Sequence, residues 1–206
     1  MAFWTGVKAG VAAFCAVFAS ASMAIPAQSG STPWMQTGSA TSQPIGHFEF
    51  CQKNRGECGV RSRAGAAPRV TASGWAVIRQ VNAAVNREIS PVTDQELLGR
   101  DEVWSYPKGR GDCEDFALEK RRRLMQRGFA AGNLLMTVVR KPDGEGHAVL
   151  TVRTAQGDFI LDNLENSVRL WTNTPYRFLK RQAANNSGRW VTIDNSAEVL
   201  VGSVGK

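Results

Sequence analysis

Gly111-Asp112-Cys113-Glu114-Asp115-Phe116-Ala117-Leu118 places a cysteine where a helix is expected to begin. Gly109-Arg110-Gly111 reads as a flexible lead-in, and Asp112 as an N-cap whose side-chain oxygen would accept from the open N–H groups of the first turn. Cys113 is then the first helical residue. Phe116, Ala117, the stem of Lys120 and Leu124 follow at helical spacing, while Glu119, Arg122 and Arg123 fall off that stripe. The pattern predicts an amphipathic helix ending near Gly128. The amide dipoles of such a helix favour thiolate over thiol at its start, and the thiolate is the nucleophilic form. Asp112, Glu114 and Asp115 oppose this, because their negative charge raises the thiol pKa unless a cation neutralises it.

Downstream of this helix the apolar runs change period. Leu134–Arg140, His147–Thr154 and Asp158–Asp162 read as strands, joined by Pro142-Asp143-Gly144-Glu145-Gly146 and Ala155-Gln156-Gly157. A further strand is expected at Trp190–Ile193. Upstream, Trp75, Ile78, Val81 and Val85 predict a helix from about Ser73 to Glu88, ended by Ile89-Ser90-Pro91 and packed on the sheet or on the Cys113 helix. Asp94–Leu98 suits one more helical turn. Phe48 and Phe50 flank Glu49 as in a short strand or docked segment, and residues 59–72 read as loop. The fold class is α+β, with the cysteine helix packed on an antiparallel sheet.

The chain has 206 residues, enough for one ordinary domain with a real core. Residues 1–24 carry a single charge, Lys8, then an apolar run from Ala9 to Ala21 and the small-residue ending Ser22-Met23-Ala24, as in a secretory signal cleaved before Ile25. Residues 25–45 are rich in Ser, Thr, Gly, Gln and Pro and read as a flexible leader, so the folded domain is expected over 46–206. An exported protein, periplasmic or secreted, can hold disulfides. With Cys15 in the signal, Cys51 and Cys58 form the natural pair and Cys113 is left free, either as a nucleophile or as a buried inert thiol.

The formal charge is +7, or about +6 once Lys8 is removed with the signal, with arginine as the main source. Lys120 to Arg123 read as a solvated helix face. Basic residues are not interleaved with aromatics in the manner of single-stranded nucleic-acid binders, so nucleic acid is not an expected partner.

A cysteine nucleophile needs a base within hydrogen-bond reach and a group that orients the base. Of the two histidines, His47 borders the leader, where a surface role is the default, whereas His147 opens a core strand. Asp162 ends the next strand in an apolar setting, where an imidazole partner would satisfy its carboxylate. Antiparallel pairing sets His147 opposite Asp162 if the loop is Arg153 to Gln156. A two-residue turn at Gln156-Gly157 would instead leave His147 about 13 Å away.

Gly111–Leu118, Gly-His-Ala-Val-Leu-Thr-Val at 146–152 and Gly-Asp-Phe-Ile-Leu-Asp-Asn-Leu at 157–164, with Trp75–Ile89 and Trp104, make the chain resemble the bacterial transglutaminase-like cysteine peptidases, which include LapG-type periplasmic proteases. The resemblance implies a papain-like, transglutaminase-type core. It assigns Cys113 as nucleophile, His147 as base and Asp162 as orienting group. It also implies calcium held by Asp112, Glu114 and Asp115, and no organic cofactor. Trp104 would line the cleft or else belong to the core. The implied function is an exported endopeptidase acting on a protein, by analogy a surface adhesin under the control of an inner-membrane receptor, as in biofilm control. Two other readings use the same fold: an acyl transferase that passes the thioester to an amine, and a binding module without turnover.

Overall fold

The computed structural model describes residues 1–3, 6, 32–62 and 66–194. The expected signal segment lies almost wholly outside them, as does the first part of the leader. In chain order the elements are β1 (Gln36–Thr41), α1 (Ile45–Lys53), α2 (Arg55–Cys58), α3 (Ala72–Glu88), β2 (Ser90–Pro91), α4 (Asp94–Leu98), β3 (Arg110–Gly111) and α5 (Cys113–Gln126), followed by β4 (Leu134–Arg140), β5 (Gly146–Thr154), β6 (Gly157–Leu161), β7 (Arg169–Leu170), β8 (Arg177–Ala183) and β9 (Asn186–Asp194). Seven strands form one antiparallel sheet in the order β1-β9-β8-β4-β5-β6-β7. β2 and β3 form a small parallel pair, so Arg110-Gly111 is paired backbone and not a loose lead-in.

The sheet is buried on both faces, which is why β4 and β5 read as continuous apolar runs. Alternate residues sort into two cores. Leu134, Met136, Leu150, Val152 and Leu161 meet Ile78, Val81 and Val85 of α3 and Phe116 and Leu124 of α5. Val139, Val149, Ile160 and Phe178 meet Met35, Trp171 and Ile193 on the other face. The helix α3 is capped by the Thr71 hydroxyl, which accepts from Gly74 N–H, and its Trp75 ring packs edge-on to Phe159 of β6.

Four expectations are corrected. The leader is not loose as far as residue 45, because Gln36–Thr41 pairs with β9. Its polar composition hid a strand whose order comes from the ladder rather than from burial. Phe48 and Phe50 lie on a helix, where Phe50 is buried and Phe48 exposed. His47 is not a surface residue: it is 1% exposed, edge-on to Trp104 and Trp190, with Gln182 Nε2 3.1 Å from its Nε2. Burial, aided by the charge of Arg121, pushes His47 down to about 4. Finally, Lys120 and Arg121 are buried rather than solvated. Arg121 donates to Leu134 O and to Glu57, while Lys120 Nζ has no hydrogen-bond partner among the described residues.

Cys51 and Cys58 are joined by a disulfide that ties α1 to α2, and Cys113 is free.

Candidate active site

The N-terminus of α5 and the start of β5 meet at Cys113. The helix begins at this residue, with Asp112 as an extended N-cap. The thiol accepts a hydrogen bond from Ala148 N–H at 3.3 Å, which sets the sulfur beside the backbone that carries His147. It donates to Glu114 Oε2, also at 3.3 Å. Burial, then the Glu114 charge, pushes the Cys113 thiol well above its ordinary range, with the Ala148 bond in partial opposition. Among the described residues no hydrogen bond joins Cys113 to His147, so the sulfur is held as a thiol turned toward a carboxylate.

His147 and Asp162 do meet. The register pairs Leu150 with Leu161 and Thr154 with Gly157, leaving Ala155-Gln156 as the turn, so neither connection considered from the sequence is formed. Continued by one residue, this register sets Asp162 against Val149, two positions from His147 on the same face of β5. That offset is about 7 Å along the strand, a diagonal that an imidazole spans. His147 Nε2 lies 2.9 Å from Asp162 Oδ1, with both side chains buried.

Two further groups fix the carboxylate. Leu164 N–H donates to Oδ1 at 3.0 Å, and Tyr176 OH donates to Oδ2 at 2.5 Å. Burial pushes Asp162 up, but the bond and charge of His147, then Tyr176 and Leu164, outweigh it and hold the carboxyl below its usual range. The Tyr176 ring also lies against His147, at 5.6 Å between centroids. Tyr176 had no signal in the sequence beyond being an aromatic ahead of β8. That strand, Arg-Phe-Leu-Lys-Arg-Gln-Ala, is itself hard to read, because its long cationic side chains break the apolar alternation.

The acids around the cysteine divide differently from the expectation. Asp94, Asp112 and Glu114 bring carboxylate oxygens within 4.8 Å of one another. Asp112 does not cap α5 with its side chain: Oδ2 accepts from Asp94 N–H at 3.3 Å, while Oδ1 is buried with no partner among the described residues. Asp94 accepts from Val103 N–H at 2.5 Å. Burial, then the neighbouring Asp112, raises Glu114, and burial also raises Asp94. Asp115 stands apart, its Oδ1 accepting from Ser105 N–H at 2.7 Å. It is a structural acid that ties the 105 segment to α5, and burial pushes it up to about 7. Asp94 was legible only as part of the capping box Thr93-Asp94-Gln95-Glu96, which its neighbours Thr93 and Glu96 form.

Trp104 is 5% exposed, set against His47 and Trp190, with the Gly46 backbone in close approach and Nε1 donating to Glu102. It is a core residue with no face left for a substrate.

Over residues 37–198 the chain matches the family described as Bacterial transglutaminase-like cysteine proteinase BTLCP. No curated protein matches it. Among solved structures it is similar to calcium-bound LapG of Legionella pneumophila, with 25% identity and a TM-score of 0.50 over 57% of this chain and 68% of that one. A second LapG structure from the same organism has 27% identity and a TM-score of 0.49 over 57% and 68% of the two chains. An EGTA-treated form has 24% and 0.49 over 61% and 69%.

Proposed function

Since the chain belongs to the bacterial transglutaminase-like cysteine proteinase family, and is a cysteine peptidase of transglutaminase-like fold, we propose that Cys113, His147 and Asp162 are its catalytic triad. The observation that carries this reading is the buried 2.9 Å bond between His147 and Asp162 at the strand end whose next N–H, that of Ala148, holds the Cys113 sulfur. Asp162 occupies Nε2 of the ring, which leaves Nδ1 to take the thiol proton. The thiolate then attacks the peptide carbonyl carbon, and His147 returns the proton to the departing amine. Water, activated by the same imidazole, hydrolyses the thioester. The N–H of Cys113, one of the open amides of the helix start, is the oxyanion donor. Tyr176 positions Asp162 and walls His147.

Before any of this the thiol must leave Glu114. We assign Asp94, Asp112 and Glu114 as calcium ligands. The residues fit: three hard oxygen donors converge, they are costly to ionise together without a cation, and Asp112 Oδ1 is buried without a hydrogen-bond donor among the described residues. The similar LapG of Legionella pneumophila is a calcium-bound protein. Bound there, the ion supplies the positive charge that keeps these acids ionised without raising the thiol. A ligand that binds only the folded state stabilises it by about 2.7 kcal/mol at a hundredfold excess over Kd. Calcium is therefore expected to raise the thermal midpoint of the wild-type chain by several degrees. The Asp112→Asn and Glu114→Gln variants should lose that shift, while Asp115→Asn should keep it. An equal shift in all four proteins would remove these acids from the site.

The cellular reading is an exported protease, periplasmic or secreted, whose substrate is a surface adhesin and whose regulator is an inner-membrane receptor. Support comes from the Cys51–Cys58 disulfide, the signal-like residues 1–24 and the resemblance to LapG-type proteases. In cells carrying the native chain with calcium present, one large surface protein is expected to shorten. It should stay intact with the Cys113→Ala chain or with chelator. Identical surface-protein profiles in all of these conditions would refute the adhesin assignment.

A further inference from the structure

The arginine excess has a locus. At the far end of α5 a cavity of about 390 Å³ opens between the segment entering α3, the turn after α5 and the end of β5. Its apolar floor is Val70 and Phe129 above the buried Val152, and Arg69, Arg127 and Arg153 stand around it, with no Asp or Glu in the lining. Among the described residues none of these three guanidinium groups forms an ion pair. Arg127 and Arg153 donate only to backbone carbonyls, those of Arg123 and Gly132, at 3.4 Å each. Asp158, the cross-strand partner of Arg153, accepts from Met35 N–H through Oδ2 with Arg181 3.9 Å away, and although the Arg153 charge acts on it, no hydrogen bond or ion pair joins the two among the described residues.

The contrast lies within one helix. Arg121, Arg122 and Arg123 of α5 each hold a carboxylate at 2.6 to 2.8 Å. Three guanidinium groups border an apolar floor, none of them ion-paired among the described residues, and a ligand that brings carboxylates can pair with them. The seventeen-residue helix α3 also begins at this cavity, and its open N-terminal amides add partial positive charge. Cys113 is distant: fourteen helical positions to Arg127 correspond to about 21 Å.

We propose that this cavity is an exosite for an acidic segment of the protein substrate, with carboxylates on Arg69, Arg127 and Arg153 and one apolar side chain on Val70 and Phe129. The proposal rests on the proteinase activity, and it gives that activity a specificity determinant outside the cleft. An aliphatic floor with a single aromatic ring suits a peptide side chain better than the successive stacked bases of a nucleic acid. An extended chain covers about 3.3 Å per residue, so the acidic segment lies at least roughly six residues from the scissile bond.

Fluorescence anisotropy on the full chain tests this with a labelled peptide of alternating Glu, Asp, Leu and Phe and its Gln/Asn isostere. The acidic peptide is expected to bind about tenfold more tightly than the isostere and to weaken as salt rises. In the Arg69→Gln/Arg127→Gln/Arg153→Gln variant that preference should vanish, while the thermal midpoint stays at the wild-type value. The Arg153→Gln single variant gives the same reading, with a smaller loss, should the triple variant fold poorly. Equal affinity for the two peptides, or an unchanged preference in the folded variants, overturns the exosite, as does tighter binding of a single-stranded oligonucleotide than of the acidic peptide. The assay needs no turnover. Loss of the acidic preference counts against the exosite alone, whereas a native chain that binds the acidic peptide but cleaves no full-length surface protein would count against the triad.

Discussion

Replacing Cys113 by alanine is expected to lower peptide hydrolysis by at least about a thousandfold, the scale on which loss of a nucleophile acts when oxyanion stabilisation and binding remain. The substitution removes one sulfur from a half-buried position at the start of α5. Its structural cost is the Ala148 N–H, which loses its acceptor, worth about 1 kcal/mol and only a few degrees in the thermal midpoint of a chain this size. Activity and stability therefore separate in one variant. Cys113→Ser sharpens the point: its hydroxyl can still accept from Ala148 N–H, so it should melt like the wild type, yet an alcohol next to Glu114 gives no usable nucleophile. Steady-state hydrolysis beside a melting curve reads both effects. An alanine variant that kept a tenth of the wild-type rate would exclude Cys113 as nucleophile.

Lys120→Met should stabilise the protein at pH 6 by about 2 to 4 kcal/mol and flatten its stability above neutrality. Lys120 is fully buried on the α5 face that carries Phe116, with Nζ 5.9 Å from that ring and no hydrogen-bond partner among the described residues. Burial pushes its amine from 10.5 down to about 7, although the Asp162 charge pulls the other way. Between those values the unfolded chain binds a proton that the folded chain lacks. Stability from this group is thus complete above pH 10.5 and is lost as the pH falls through 7, over a span of no more than about 5 kcal/mol. Methionine keeps the unbranched length and fills the space without the charge. Urea unfolding of both proteins from pH 6 to 10 checks this, because subtracting the variant cancels every other titration. A difference that did not change with pH would mean that Lys120 stays charged inside the fold.

The elements that position the site were legible where side-chain periodicity is dictated by burial. β4 runs over Leu134–Arg140 as expected, α5 starts at Cys113, and α3 and β5 begin within one residue of their expected positions. The longer strands that escaped reading, β1 and β8, are polar or cationic and are ordered by their neighbours, β9 and β4, through backbone hydrogen bonds that composition does not encode; the two-residue β2, β3 and β7 escaped as well. Misreading His47 and Lys120 has the same root. A histidine beside a Ser- and Pro-rich stretch and a lysine in a basic run look solvated until partners distant in the chain enclose them.

By itself the sequence determined the chemistry on offer: one free cysteine at a helix start, one histidine opening a core strand, an aspartate after the next strand, and acids around the sulfur. Their residue types and their places at element ends follow from local pattern. Only the tertiary structure decided how they meet. The turn at Ala155-Gln156 sets a register that brings Asp162 onto His147 diagonally, and a two-residue slip toward a turn at Gln156-Gly157 would have separated them. Packing of α4 against the start of α5 brings Asp94 to Asp112 and Glu114, while Asp115 is drawn off to Ser105. Such choices are made by long-range contacts, whose energies depend on which surfaces fit together and not on any residue's neighbours in the chain.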